Sequence, residues 1–467
     1  MTPRLGSMQL EGAVRAYGWL FLLGLATMSL FNFEGALPGT RLQFFTLATF
    51  LYSLIGLALL VLRVRERRSG AFADAPIGAS TLSGRGLPPL VTRTAAGAGL
   101  LLFTYAIVTT FFHERVIWAG AARVVRVVPQ WYVIAPQINA MLALACGLLV
   151  MVVRSRQQRL ELMWWTSFIM VPVTVLGAVR VSLTRGEPIR RLWTQFGGAA
   201  VLSVALLLCL AIAAAAWAAH YRPRISQWLM VAYLLLLLLT ASRAGILILG
   251  VFVVLVVVRL ARRHTGAGAR LRRLPPAVFI AGGAAIALAT AVSPLLGRID
   301  QKSGRLTSWR AGIAALEGDA LNVLAGMGSG TLWPWYAYES GWQGVPGGQR
   351  VHGPFGTTLY HAHSLYVTVL VELGIIGMLL LAAVVWPIAA QWFRGGSSPV
   401  VVLTSAVCAC LVGFVFDTYL MKNFPVSMLW WAIAFAALLS GADEVRARRT
   451  QHAVPAGPPH SSTDVKE

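Results

Sequence analysis

The stretch HAHSLYVTVLVELGIIGMLLLAAVVW, residues 361–386, begins with two histidines and then becomes almost continuously apolar. About 20 apolar residues are enough to cross a bilayer as a helix. Lipid offers no partner for exposed backbone groups, so a helix is strongly favoured there. We therefore predict a transmembrane helix over 364–393 that starts just after His363. Glu372 lies inside it as its one carboxylate.

The rest of the chain repeats this apolar pattern. Of its 467 residues, 57% are hydrophobic, and the mean hydropathy of +0.70 is typical of a membrane protein. The first apolar segment is too long for a cleaved signal peptide. The predicted fold class is an all-α polytopic membrane protein with about twelve transmembrane helices, at 15–33, 42–62, 95–112, 131–153, 161–179, 192–219, 225–241, 243–261, 275–296, 364–393, 399–420 and 423–442.

Charge predicts which side of the membrane each loop occupies. The chain carries 39 Lys and Arg against 17 Asp and Glu, and its formal net charge is +22. These cations are scattered over loops between apolar spans, which argues against a nucleic-acid surface. The positive-inside rule places both termini in the cytoplasm, because runs such as RVRERR at 63–68 then face inward. Several arginines nevertheless remain on the outer side, which suggests an anionic ligand there.

The predicted spans divide the chain into five parts. One large loop, predicted to be periplasmic and helical, precedes the tenth helix, and its GRLTSWRAGIAALEG segment (304–318) predicts an amphipathic helix. The outer segment 113–130 is either a short amphipathic helix on the membrane surface or an ordinary connector. The predicted parts are a cytoplasmic N-terminus (1–14), transmembrane helices 1–9 (15–296), the periplasmic loop (297–360), helices 10–12 (361–442) and a cytoplasmic, disordered tail (443–467).

His363 is the candidate catalytic residue. A helix that starts near Ser364 puts His363 at its N-terminal edge, where the helix dipole favours neutral imidazole, the form of a general base. Helical spacing aligns His363 with Gly374 and Gly377, two glycines that would let another helix approach closely. His361 and Ser364 would support it. The alternative is a hydrogen-bonded histidine that only caps the helix.

Arginines are the candidate binders of an anionic ligand. Arg243 lies in TASRAG between two apolar segments, where a charge is expensive and is either functional or reaches back to water. Guanidinium groups match phosphate oxygens bidentately. The predicted binders of a diphosphate on the outer side are Arg243, Arg305, Arg191, Arg190 and Arg310.

Other polar and aromatic residues leave their roles open. Trp333, Trp335 and Tyr336 suit either sugar rings or an interfacial aromatic belt. Glu372 is either a structural hydrogen-bonding residue or a proton relay. The sequence has no HExxH, Cys/His or acidic cluster with metal-ligand spacing, and its GMGSG segment (326–330) does not fit a dinucleotide fingerprint. We therefore predict neither a metal nor a cofactor.

The segment from His363 and Ser364 through nine residues to Gly374-Ile-Ile-Gly377 resembles the pattern H-[N/S/Q]-x9-G-x-x-G of the bacterial O-antigen ligase family. Twelve spans, a large loop before the histidine, SRAG at 242–245 and the Arg305-x-x-x-Trp309 spacing strengthen the resemblance. It implies an inner-membrane, metal-independent enzyme that transfers polysaccharide from undecaprenyl diphosphate to lipid A-core at the periplasmic face. The matched histidine would be catalytic, and the arginines would bind the donor diphosphate.

Two alternatives follow from the same residues. O-antigen polymerases and pilin O-oligosaccharyltransferases belong to the same superfamily and use the same donor chemistry with other acceptors. A transporter or flippase for a lipid-linked anion is the alternative from another class. It predicts inverted repeats, paired broken helices and charges near the midplane, whereas no repeat is evident and the charges gather at one face.

Overall fold

The computed structural model describes most of the predicted membrane region and part of the large loop. The described residues are 3–30, 40–68, 88–112, 116–119, 124–127, 130–185, 192, 194, 198–261, 305–333, 351–353, 356–358 and 362–453. The predicted ninth span, 275–296, lies outside them.

The described chain is helical, as predicted. Nine of its helices are long and apolar enough to cross a membrane, and two more, Pro223–Leu239 and Ser398–Gly413, are apolar but shorter. Together they correspond to every predicted span except 275–296, so the protein is a multi-pass helical membrane protein. The helices are α1 (Pro3–Leu30), α2 (Thr40–Arg68), α3 (Leu90–Thr109), α4 (Gln130–Val152), α5 (Arg156–Arg185), α6 (Ala199–Ala218), α7 (Pro223–Leu239), α8 (Arg243–Ala261), α9 (Arg305–Ala314), α10 (Ala320–Ala325), α11 (Leu365–Arg394), α12 (Ser398–Gly413), α13 (Tyr419–Lys422) and α14 (Phe424–Ala453).

Helix α6 lies at the centre of the bundle. Its sequence, AAVLSVALLLCLAIAAAAWA, is apolar all round, and almost all of its side chains are buried. A helix without a polar face is typical of such a buried position. It packs against α5, α7, α8, α12 and α14, whereas α2 leaves most of its apolar side chains exposed on the outside of the bundle.

Contacts between helix ends sort the described residues onto two sides of the bundle. Glu11 of α1 binds both Arg63 of α2 and Gln158 of α5, and Arg156 of α5 binds Glu444 of α14, so both ends of the described chain lie on one side. The Leu365 N–H donates to the Phe414 carbonyl on the other side, at the start of α11. We call these the termini side and the His363 side.

In the outer segment 113–130 the structure contradicts the predicted amphipathic helix and leaves the alternative, an ordinary connector, open. Its described residues form a hairpin of two antiparallel strands, β1 (Val116–Ala119) and β2 (Val124–Val127). Their sequences, VIWA and VVRV, are rich in β-branched residues, which explains the preference for extended backbone. A second hairpin, β3 (Val351–Gly353) and β4 (Gly356–Thr358), packs against the first through β3 and against α9 through β4.

The predicted boundary of the disordered tail at 443 is wrong. Helix α14 continues to Ala453 without interruption. The reason is that its polar residues find partners on α5: Arg159, which is fully buried, binds Asp443 at 2.5 Å, and Arg156 binds Glu444 at 2.7 Å. Because these charged residues are paired with α5, helix α14 continues beyond its apolar segment on the termini side.

Candidate functional site

The start of α11 holds His363 in an unusual backbone conformation. Its φ of 50° is in the left-handed region, which non-glycine residues rarely adopt and which is frequent at functional sites. The next residue, Ser364, is the N-cap of α11, and its hydroxyl accepts from Val367 N at 3.4 Å. Capping needs a short polar side chain, which explains why serine or asparagine suits this position. The side chain of His363 is half-buried.

Helix α9, the predicted amphipathic helix of the large loop, is attached directly beside His363. The Trp309 indole N–H donates to the carbonyl oxygen of Ala362 at 2.6 Å. Arg305 is the first residue of α9, one turn before Trp309, and Arg310 follows it and is exposed. The structure therefore brings the predicted arginine-bearing helix to the predicted catalytic residue.

Helix α11 is interrupted about three turns after His363. Gly374 has φ 63° and ψ −160°, a conformation that is essentially restricted to glycine. The carbonyls of Val371 and Glu372 accept from the N–H groups of Met327 and Gly328, at 2.9 and 3.0 Å. The GMGSG segment is thus a turn that docks on the interruption, which we call the docking turn (326–330).

The close approach predicted at the two glycines of α11 is found at Gly374 and not at Gly377. A Cβ atom on Gly374 would overlap the backbone of Leu324 and Gly326, so the segment that approaches there is the end of α10 and the docking turn. A Cβ on Gly377 would instead meet Leu373 of the same helix. Periodicity predicted the close approach, but it could not show that the approaching chain comes from the loop.

Arg243 differs from every other described arginine that is buried or half-buried. Those others each have a polar partner; Arg180, for example, donates to the Leu30 carbonyl, and Arg259 donates to the carbonyls of Trp392 and Phe393. Arg243 is half-buried, yet it has no hydrogen bond or ion pair with any described residue.

Arg243 lies on the His363 side at the first position of α8. Ser242 caps this helix, since its hydroxyl accepts from Gly245 N at 3.1 Å. Further along α8, Ile248 lies beside Gly413, at the end of α12. The following residue is Phe414, whose carbonyl accepts from Leu365 N at 2.7 Å. Helix α8, which begins with Arg243, therefore contacts the end of α12, and the end of α12 contacts the start of α11.

Trp333 does not fit its predicted contact with sugar. It is fully buried, and its indole N–H donates to the Ser308 hydroxyl at 3.1 Å. A Cβ atom on Gly312 would be 2.7 Å from its ring, so α9 rests directly on it. Trp333 is thus a core residue of the loop. The other predicted residues Arg190, Arg191, His361, Trp335 and Tyr336 lie outside the described part of the chain, as does the side chain of Arg305.

Sequence reasoning missed several polar residues near this region. Asp417 lies in the connector after α12, three residues beyond Phe414, and its carboxylate accepts from Thr418 N at 2.7 Å. In the same connector, Tyr419 is fully buried and its hydroxyl donates to the Cys410 carbonyl at 2.6 Å. Ser329 of the docking turn is also buried. Neither spacing nor periodicity marks these residues.

Within the described part of the chain, no group of three or more His, Cys, Asp or Glu side chains could hold a metal ion. Metal independence stays a prediction. No protein-family model matches the chain, and no curated protein matches it significantly. The family resemblance therefore rests on the residues described above.

Proposed function

We propose that the protein is an O-antigen ligase of the bacterial inner membrane, a metal-independent glycosyltransferase. It would transfer polysaccharide from undecaprenyl diphosphate to lipid A-core at the periplasmic face. The observation that carries the proposal is the attachment of the Arg305–Ala314 helix beside His363 by the bond from Trp309 to Ala362. A histidine and a set of arginines on one side of the bundle suit a hydroxyl acceptor and a diphosphate donor.

His363 would act as the general base. The acceptor hydroxyl oxygen attacks the anomeric carbon, the bond from that carbon to the diphosphate breaks, and the imidazole takes the hydroxyl proton. Undecaprenyl diphosphate leaves with both bonding electrons, and direct displacement inverts the anomeric centre. His363 directly precedes the N-cap of α11, where the helix dipole disfavours added positive charge and so favours the neutral imidazole that a general base needs.

Arginines would bind the donor and stabilise the leaving diphosphate. Arg243 supports this role best, because it is half-buried on the His363 side without a partner among the described residues. Arg310 is exposed on α9, next to Trp309, and Arg305 starts the same helix. Arg190 and Arg191 complete the proposed set. Guanidinium groups suit this task because their paired N–H donors match phosphate oxygens.

One observation favours the transport alternative. The interrupted helix α11 resembles the discontinuous helices at transporter binding sites. The docking turn, however, occupies this interruption and bonds the carbonyls of Val371 and Glu372. Because the protein's own backbone fills the gap, we favour the transferase.

The test is transfer by the purified protein from undecaprenyl-diphosphate-linked glycan. Three acceptors are compared: lipid A-core, a second lipid-linked glycan and a pilin-like serine peptide. We expect a product with inverted anomeric configuration on lipid A-core, at the same rate with and without EDTA. Preference for another acceptor would indicate a sister transferase. Movement of the donor across a vesicle membrane without any transfer would indicate a transporter.

A further inference from the structure

Two backbone segments meet at the interruption of α11 without side chains between them. A Cβ atom on Gly326 would overlap the carbonyl of Glu372, and one on Gly374 would overlap the carbonyl of Leu324. Both glycines have positive φ, 84° and 63°. The docking turn therefore fits α11 only with glycine on each side, and the fit fixes their relative position.

Side-chain hydrogen bonds to α4 and α11 also stabilise this contact. The Gln137 amide of α4 donates to the Ser329 hydroxyl at 3.2 Å, and that hydroxyl donates to the Glu372 carboxylate at 3.3 Å. A serine hydroxyl has one proton, so donating to Glu372 obliges it to accept from Gln137. All three side chains are at least nine-tenths buried. The hydrogen bonds therefore all point the same way, from the Gln137 amide through the Ser329 hydroxyl to the Glu372 carboxylate.

Helix α3 holds the same turn from another direction. The Ser329 backbone N–H donates to the Thr109 hydroxyl at 3.3 Å, and the Tyr105 hydroxyl donates to the Ala325 carbonyl at 2.7 Å. The docking turn is therefore bound by α3, α4 and α11 together. Glu372 is the only carboxylate in these bonds among the described residues.

The docking turn is connected to α9 through Trp333. Trp333 lies three residues beyond the turn, and α9 rests on it at Gly312. Gly312 also meets Val371, the residue before Glu372. Helix α9 in turn reaches the start of α11 through Trp309. Displacing the docking turn would therefore displace α9 relative to His363.

We infer that Glu372 is a positioning residue, which acts through Ser329 and the docking turn to hold α9 beside His363. Nine residues along α11 correspond to about 13 Å, too far for contact with groups that react at His363. A buried carboxylate is a strong acceptor for the Ser329 hydroxyl. An apolar residue in place of Glu372 would leave this hydroxyl without its acceptor and would weaken the connection to Gln137. The functional part of this inference rests on the proposed ligase activity.

The test measures placement and activity separately. Spin labels at Ile313→Cys of α9 and Leu379→Cys of α11, both exposed in the wild-type structure, report the distance between these two helices by pulsed electron resonance without any substrate. Transfer is then measured at saturating donor and acceptor. The variants are Glu372→Ala, Glu372→Gln and Ser329→Ala. Gln391→Leu is the matched control, because Gln391 is equally buried in α11 but lies at its termini end.

Glu372→Ala should broaden the distance distribution and slow transfer by about 10- to 100-fold, since small misplacements of reacting groups have effects of this size. Ser329→Ala should act in the same direction, which keeps the test valid if Glu372→Ala does not fold. Glu372→Gln, whose amide oxygen still accepts from Ser329, should keep the narrow distribution. Gln391→Leu should leave it unchanged.

Three results would overturn the inference. The first is a wild-type distance distribution in both Glu372→Ala and Ser329→Ala. The second is a change in Gln391→Leu as large as in Glu372→Ala, which would indicate general loss of stability. The third is a Glu372→Gln variant as disordered as Glu372→Ala. If instead the distances change as expected but the wild-type protein transfers no glycan, the proposed function fails and the positioning role stands.

Discussion

Trp309 donates its indole N–H to the carbonyl oxygen of Ala362 at 2.6 Å, and this bond joins the loop helix α9 to the residue next to His363. A single hydrogen bond of this kind contributes about 0.5–1.5 kcal/mol to stability. Its larger consequence is geometric, because it sets the distance between the arginine-bearing helix and the histidine.

Trp309→Phe should separate this bond from the aromatic packing. The phenyl ring keeps most of the apolar contact but has no donor for Ala362, so transfer should fall by roughly 2- to 10-fold. Trp386→Phe is the control, because Trp386 is 68% exposed on the apolar surface of α11 and should not affect the rate. Equal rates in the two variants would show that the bond does not matter for transfer.

Arg243→Ala should weaken the binding of donor. A charge-assisted bond contributes about 1.5–3 kcal/mol, which corresponds to a loss of affinity of about tenfold or more. Arg243→Lys should restore little, because an ammonium group lacks the bidentate geometry. Affinity is measured with undecaprenyl diphosphate and the purified variants. Arg224→Ala, an exposed arginine at the termini side, should bind normally, and a similar loss there would point to non-specific charge effects.

Gly374→Ala should destabilise the protein strongly. Alanine cannot adopt φ 63° and ψ −160° without strain of about 1–3 kcal/mol, and its Cβ would also displace the docking turn. Gly97→Ala is the matched control, because Gly97 lies in a regular part of α3 with open space around its Cβ position. That change should be neutral or stabilise by up to about 1 kcal/mol. Thermal unfolding in detergent measures both, and equal midpoints would contradict the structure of the interruption.

The sequence predicted the helices well and their contacts poorly. Apolar runs located the spans that the structure describes, including the division at Ser242, because a membrane crossing needs a long apolar helix. The start of α11 was also predicted, since Ser364 is a good N-cap. The interruption at Gly374 was not, because a glycine in an apolar run is compatible with both a close helix contact and a break. The burial of Trp333 was missed for a similar reason, as composition does not distinguish a core tryptophan from an exposed one.

The orientation of the protein remains a prediction that labelling can test. Leu321→Cys introduces an exposed thiol on the His363 side, and Arg224→Cys introduces one on the termini side. The four native cysteines are buried or half-buried, so their background reaction should be low. In cells with an intact inner membrane, an impermeant thiol reagent should modify Leu321→Cys and not Arg224→Cys. The reverse pattern would place the His363 side in the cytoplasm and contradict the proposed reaction.

We propose that His363 acts on the acceptor and not on the donor. The most direct measurement is single-turnover transfer by His363→Ala, paired with its affinity for undecaprenyl diphosphate and a check of folding. General-base catalysis contributes about 10²- to 10⁴-fold, so transfer should fall by this factor while donor affinity stays close to wild type. Transfer at a near-wild-type rate, or a loss of donor affinity as large as that of Arg243→Ala, would contradict this role of His363.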